Sequence, residues 1–137
     1  MTLLVDTSVW SLAFRRDAPP DVPEVAALRR ALSGQEDVVI LGIILLELLR
    51  GFRRASVGKT LVDQLSWVPL LEPTRADYEA AAELSNTCRR VGVQLATIDA
   101  LIAQMAIAHD VALLTADEDF AHAARHIPLR LWGRAST

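Results

Sequence analysis

Only one cysteine, Cys88, and one lysine, Lys59, occur in the 137 residues. A single cysteine excludes an internal disulfide and any multi-cysteine zinc or iron-sulfur centre built by one chain, and it fits a reducing compartment. With Lys+Arg totalling 14, the positive charge rests almost wholly on arginine, and the formal net charge is -3 at pH 7. Such a chain has no general attraction for polyanions, so nucleic acid would have to be met by a local cluster of arginines. Long apolar runs are missing too. "LGIILLELL" is too short to span a bilayer and carries Glu47, while "MTLLV" at the start lacks the basic opening of a signal peptide. No linker, repeat or low-complexity tract interrupts the pattern. A cytoplasmic protein with no membrane contact and a single domain over 1–137 is expected, and a hydrophobic fraction of 52% is enough to give that domain a core.

Hydrophobic patterning then alternates short apolar runs with helical periods. "TLLV" reads as a strand, followed at Asp6, Thr7 or Ser8 by a capped helix over "VWSLAF". Three prolines in "RRDAPPDVP" break the pattern, and "EVAALRRALSG" resumes it as a helix with Pro23 near its start and Gly34 past its end. "DVVIL" predicts a second buried strand. "IILLELLRGF" predicts a helix packed on most sides, because it is apolar all round. A helix over "SVGKTLVDQLS", a strand in "WVPLLE" and a long helix over "TRADYEAAAELSNTCRRVG" follow, the last capped by Thr74 and stopped by Gly92. Its stripe of Ala81, Leu84, Cys88 and Val91 makes Cys88 a core residue rather than a nucleophile. "TIDALIAQMAIAHD" predicts a helix capped by Thr97, "VALLT" a strand, "DFAHAARH" a short helix and "LRLW" a final strand. Strands alternating with helices predict an α/β fold with a parallel sheet covered on both faces.

Acidic residues fall where such a sheet presents its ligand crevice, beyond the carboxyl ends of the strands. Asp6 ends the first strand, Asp117 follows "VALLT", Asp99 lies in the first turn of its helix, and Glu47 sits inside the leucine-rich helix. Each has an ordinary alternative. Asp6 serves equally as a helix cap, Asp99 as a complement to its helix dipole, and Asp117 and Asp119 as solvated loop residues capping the last helix. Glu47 needs a partner, since an unpaired buried carboxylate is costly, and either Arg50 one turn on or a metal ion would serve. "LLTADEDF" raises the same question, because Asp117, Glu118 and Asp119 crowd like charges after a buried run. A hard divalent cation shared among carboxylates would convert that repulsion into attraction, and such ions typically bridge protein carboxylates to phosphates.

The four blocks "LLVDTSVW", "LLELLRG", "LATIDALIAQMA" and "LLTADEDF", in this order across nearly the whole chain, resemble those of PIN-domain ribonucleases of the VapC toxin kind. The resemblance implies a PIN-like three-layer sandwich with a central, mostly parallel sheet flanked by helices. It implies an acidic metal site of Asp6, Glu47, Asp99 and Asp117 that is also the catalytic set, with Ser8, Thr115 and Asp119 in support. It also implies an endoribonuclease dependent on Mg²⁺ or Mn²⁺, acting on transfer, ribosomal or messenger RNA. Such a protein is commonly a homodimer, held down by a VapB-like antitoxin.

Two other classes compete. A phosphoaspartate signalling or phosphatase domain shares strand-end carboxylates and Mg²⁺ but needs a lysine after a late strand, and Lys59 lies mid-chain. A catalytically silent interaction module would have no need of Glu47 inside an apolar helix. Arg15, Arg16, Arg50, Arg53 and Arg54 could flank the site and meet phosphates, or simply be solvated. His122 and His126 are expected to face solvent rather than zinc, and Trp10, Trp67 and Trp132 to serve the core or a dimer contact by default.

Overall fold

The computed structural model describes residues 1–14 and 21–134. Its element order is β1 (Thr2–Val5), α1 (Thr7–Ala13), α2 (Pro23–Arg30), a π-helical turn (Ala31–Gln35), β2 (Asp37–Leu41), α3 (Gly42–Arg50), α4 (Ala55–Leu65), β3 (Leu70–Leu71), α5 (Arg75–Arg90), α6 (Thr97–Ala108), β4 (Ala112–Leu114) and α7 (Glu118–Ala123). The strands form one parallel sheet in the order β3-β2-β1-β4, flanked by the helices in the expected three layers. Leu3, Leu4 and Val5 of β1 and all of β4 are buried, the unbroken apolar reading of strands covered on both faces.

Chain direction across the sheet reverses at β1, whose successor β2 lies on one side and β4 on the other. That is the switch point where crevices form in such sheets. Pairing of Val5 with Leu114 sets the next residues, Asp6 and Thr115, side by side, and the Asp6 amide donates to the Leu114 carbonyl at 3.1 Å. Trp10 anchors α1 beneath this edge: it is fully buried, its Nε1 donates to the Val5 carbonyl at 3.1 Å, and its ring stacks on Phe14. Trp10 is therefore core, whereas Trp67 is 57% exposed.

Several elements differ from the sequence reading. The strand in "WVPLLE" shrinks to two residues, because Pro69 has no amide to give the ladder and contributes only its carbonyl, to Ile40 N at 3.0 Å. "LRLW" forms a single bridge from Leu131 to Leu113 before Gly133, at φ +79°, turns the chain away. Helix α3 is packed over most of its surface, with Ile44 and Leu48 buried and Ile43, Leu45 and Leu49 half-buried against the core, but Leu46 is 59% exposed. Thr97 does not cap α6; Ala96 holds that position, with no side-chain hydrogen bond. In α5, Ala81, Leu84 and Cys88 are buried as expected, and Thr74 forms a capping box with Asp77, but Val91 lies past the last turn and is 50% exposed. Gly92, at φ +82°, supplies the left-handed stop that a residue with a Cβ would resist. No helix of the described residues is long and apolar enough to cross a membrane.

Candidate active site

Asp6 is the one buried charged residue among those described, at 4% exposure, and it caps α1. Its Oδ1 accepts from the Ser8 amide at 2.9 Å and from the Ser8 hydroxyl, and its Oδ2 accepts from the Thr115 hydroxyl at 2.6 Å. Each hydroxyl has one proton to give. With both committed to Asp6, their lone pairs are left for backbone donors: Ser8 Oγ accepts from Ala116 N at 3.1 Å, and Thr115 Oγ1 from Asp117 N at 3.0 Å. Asp117 in turn caps α7, accepting from Asp119 N at 2.9 Å. The ends of β1 and β4 are thus stitched into one hydrogen-bonded edge, and the capping roles of Asp6 and Asp117 orient their carboxylates rather than competing with another use.

Facing this edge, the first turn of α6 supplies Asp99. Asp99, Asp117 and Asp119 each offer an oxygen within 4.8 Å of the others. Asp6 and Glu47 stand outside that tight trio, yet their charges act on it. Burial, followed by the charges of Asp117, Asp6, Asp119 and Glu47, pushes the Asp99 carboxyl up to about 6. Burial likewise raises that of Asp6, against the lowering effect of its Ser8 and Thr115 hydrogen bonds. Glu47 Oε1 is held by the Thr7 hydroxyl at 3.0 Å, a partner 40 residues away, rather than by Arg50, which is exposed at the end of α3. The sequence reading missed Thr7 as a functional neighbour, because nothing local to either residue marks the pairing.

Of the acids expected at the site, Asp99 and Asp117 lie within one tight group, while Asp6 and Glu47 lie near enough for their charges to act on Asp99; Ser8 and Thr115 are bonded to Asp6. Asp119, expected in a supporting place, is one of the three carboxylates that approach within 4.8 Å of one another. The ion pairs among the described residues join Arg75 to Glu79, Arg130 to Asp110 and Arg134 to Glu118, so none of these arginines neutralises the cluster. An all-oxygen set of crowded carboxylates with no cation among the described residues paired to it fits a hard divalent ion such as Mg²⁺ or Mn²⁺. His122 and His126 are both exposed, as expected of a solvent-facing pair. Arg50, Arg53 and Arg54 are exposed, and Arg15 and Arg16 lie outside the described residues. Lys59 is exposed on α4 rather than following a late strand, which leaves the phosphoaspartate reading without its lysine.

Residues 3–126 match the sequence profile of the PIN domain. The chain belongs to the PIN-domain family. Among curated relatives of this PIN-domain chain, VapC ribonuclease Mb1587 of Mycobacterium bovis is 33% identical over 126 residues, covering 90% of this chain and 92% of the relative. Solved structures share the fold at lower identity. VapBC2 of Rickettsia felis, crystallised with a promoter DNA fragment, superposes with a TM-score of 0.75 at 22% identity, over 96% of this chain and 97% of the other. FitAcB of Neisseria gonorrhoeae gives 0.73 at 22% identity, over 96% of both chains.

Proposed function

We propose that this PIN-domain protein is a VapC-type endoribonuclease that hydrolyses RNA phosphodiester bonds with Mg²⁺ or Mn²⁺, acting in the cytoplasm as one domain over residues 1–137. It would be neutralised by a VapB-like antitoxin and would work as a homodimer. The observation that carries this reading is the gathering of Asp99, Asp117 and Asp119 within 4.8 Å of one another, with Asp6 and Glu47 near enough to act on Asp99 and no basic side chain among the described residues paired to the group. The names of the relatives supply the reaction class and the kind of partner.

Asp99, Asp117, Asp6 and Glu47 would hold the ion, with Asp119 beside them. When bound, a divalent ion supplies Lewis acidity and lowers the pKa of water in its shell, the chemistry that phosphodiester hydrolysis needs. The chain's own contribution is positional. Ser8 and Thr115 direct both oxygens of Asp6, and Thr7 directs Glu47, so that these carboxylates would take up the ion without rearranging. At Asp99, whose carboxyl is raised to about 6 by burial and then by its acidic neighbours, a cation would relieve the repulsive part of that shift.

The test is cleavage of total bacterial RNA by purified protein after chelation with EDTA and on restoring Mn²⁺, alongside Asp6→Asn and Asp99→Asn. Cleavage should vanish with EDTA, return with Mn²⁺, and be absent in both variants. Persistence through chelation or both substitutions would refute the reading, and no cleavage by the metal-loaded wild type would favour a silent interaction module. Sequencing RNA ends after brief expression, with and without Asp6→Asn, identifies the target.

A further inference from the structure

A second recess adjoins the acidic crevice and shares its wall. This cleft of about 230 Å³ runs from Thr115, Ala116 and Asp117 toward the chain's end, with apolar sides from Leu12, Ala121 and Leu131, and with Glu24, Glu118 and Arg134 also lining it. It is smaller than the roughly 300 to 1,000 Å³ of sites that enclose drug-sized molecules. Such a space suits one flat ring rather than a peptide helix. Arg134 is the cation lining it among the described residues, and its Nη2 lies 3.4 Å from Glu118 Oε1.

We propose that this cleft is a nucleotide subsite, seating the base next to the cleaved bond while Arg134 takes the accompanying phosphate. This rests on the ribonuclease reading given above. The acidic cluster repels RNA, so a strand reaching it needs positive charge close by, and Arg134 lies on a cleft that shares Thr115 and Asp117 with the acidic crevice. The present partner of Arg134 is easily exchanged. Both side chains of the Arg134–Glu118 pair are more than half exposed, at 56% and 72%, and pairs of that kind hold weakly. A backbone phosphodiester offers a guanidinium the same paired, two-oxygen recognition and the same single negative charge as the carboxylate it would replace. The apolar sides then give the unstacked base a place out of water, the usual way single-stranded RNA is held. Glu118, which the metal site does not use, keeps Arg134 at the mouth until RNA arrives.

The experiment measures binding separately from cleavage. Fluorescence anisotropy with a short fluorescein-labelled single-stranded RNA of mixed sequence, in Mg²⁺ and in the inactive Asp99→Asn background, is read against salt for Arg134→Gln, Arg134→Lys and a control, Arg130→Gln. Arg130 pairs with Asp110 just ahead of β4, at the opposite end of the sheet. Arg134→Gln should weaken binding several-fold and flatten the slope of log affinity against log salt by about 0.7, the value for one lost phosphate contact on a single strand. Arg134→Lys should keep the slope, and Arg130→Gln should change neither quantity. With Asp99 intact, Arg134→Gln should raise KM for total-RNA cleavage while leaving kcat in place. Equal effects of Arg134→Gln and Arg130→Gln, or none from either, would overturn the subsite. So would release of a VapB-like partner by Arg134→Gln with unchanged RNA slope, which would make the cleft a protein contact. Absence of cleavage by wild-type protein in Mg²⁺ or Mn²⁺ would instead remove the ribonuclease reading itself, and the subsite with it.

Discussion

Asp6 and Asp99 face one hollow from opposite sides and are held in opposite ways. Asp6, at the strand edge, accepts from the Ser8 amide, the Ser8 hydroxyl and the Thr115 hydroxyl. Asp99, on the helix side, has no such donors among the influences on its charge, which are burial and four neighbouring carboxylates. The difference teaches which part of the site is scaffold and which part is poised for a cation. Asp6 is satisfied by the protein, so the fold of the strand edge depends on it. Asp99 is left unsatisfied by the protein, so its ionised form costs stability until something positive arrives. Sites that strain the fold in this way are where function is concentrated.

The largest effect should come from disturbing the satisfied side. Thr115→Val keeps shape but removes the proton donated to Asp6 and the acceptor used by Asp117 N. Losing a hydrogen bond to a charged, buried group costs about 2 to 3 kcal/mol. Urea unfolding at pH 7 in EDTA should show a loss of that size, and a change below about 0.5 kcal/mol would mean that Asp6 does not depend on its donors.

The unsatisfied side should answer with the opposite sign. With the Asp99 carboxyl pushed up to about 6 from 3.8, the folded chain holds a proton that the unfolded chain has lost across that window. Stability of the metal-free protein therefore falls as pH rises from about 4 to about 6, and the penalty stays constant above it. Asp99→Asn removes this contribution. In EDTA at pH 7 it should stabilise the fold by about 1 to 2 kcal/mol, allowing for screening of a half-buried group, and the gain should fade below about pH 4. Some slope will remain from Asp6, whose carboxyl is raised by burial in the same direction. A destabilised Asp99→Asn at pH 7 would show that the acid is structural.

Much of this arrangement was legible in the chain, and what was hidden has a physical reason. Asp6 and Asp117 could be placed because they follow runs apolar enough to be buried parallel strands, and strand ends are where such sheets gather ligands. Asp99 could be placed because it falls in the first turn of a clear helical pattern. Hidden were features set by partners distant in sequence. Nothing near Thr7 announces Glu47, and the even run of apolar side chains in α3 gave no sign that Leu46 would be exposed. The length of an edge strand such as β3 depends on what its neighbour can pair, and Pro69 truncates it. The closeness of Asp119 to Asp99 and Asp117 was likewise hidden, because it depends on the turn that Asp117 caps, not on its own neighbours.

Glu47 lies between the two extremes, and its substitution should give the smallest effect on stability. It accepts one hydrogen bond, from Thr7 at 3.0 Å, and is half-buried. Thr7→Val removes that donor with little change of volume and leaves Glu47 free to turn toward water, so urea unfolding in EDTA should shift by less than about 1 kcal/mol. Metal affinity should be more sensitive than stability, because a carboxylate that has lost its outer hydrogen bond must be reoriented on each binding event. Losses of about 10- to 100-fold are typical when such partners are removed. A Mn²⁺ titration followed by thermal melting should place Thr7→Val near the lower end of that range, with Glu47→Gln more severely affected. Equal melting curves for Thr7→Val and wild type at every Mn²⁺ concentration would mean that Glu47 reaches the crevice without help, and the contrast between the two sides would then extend to it.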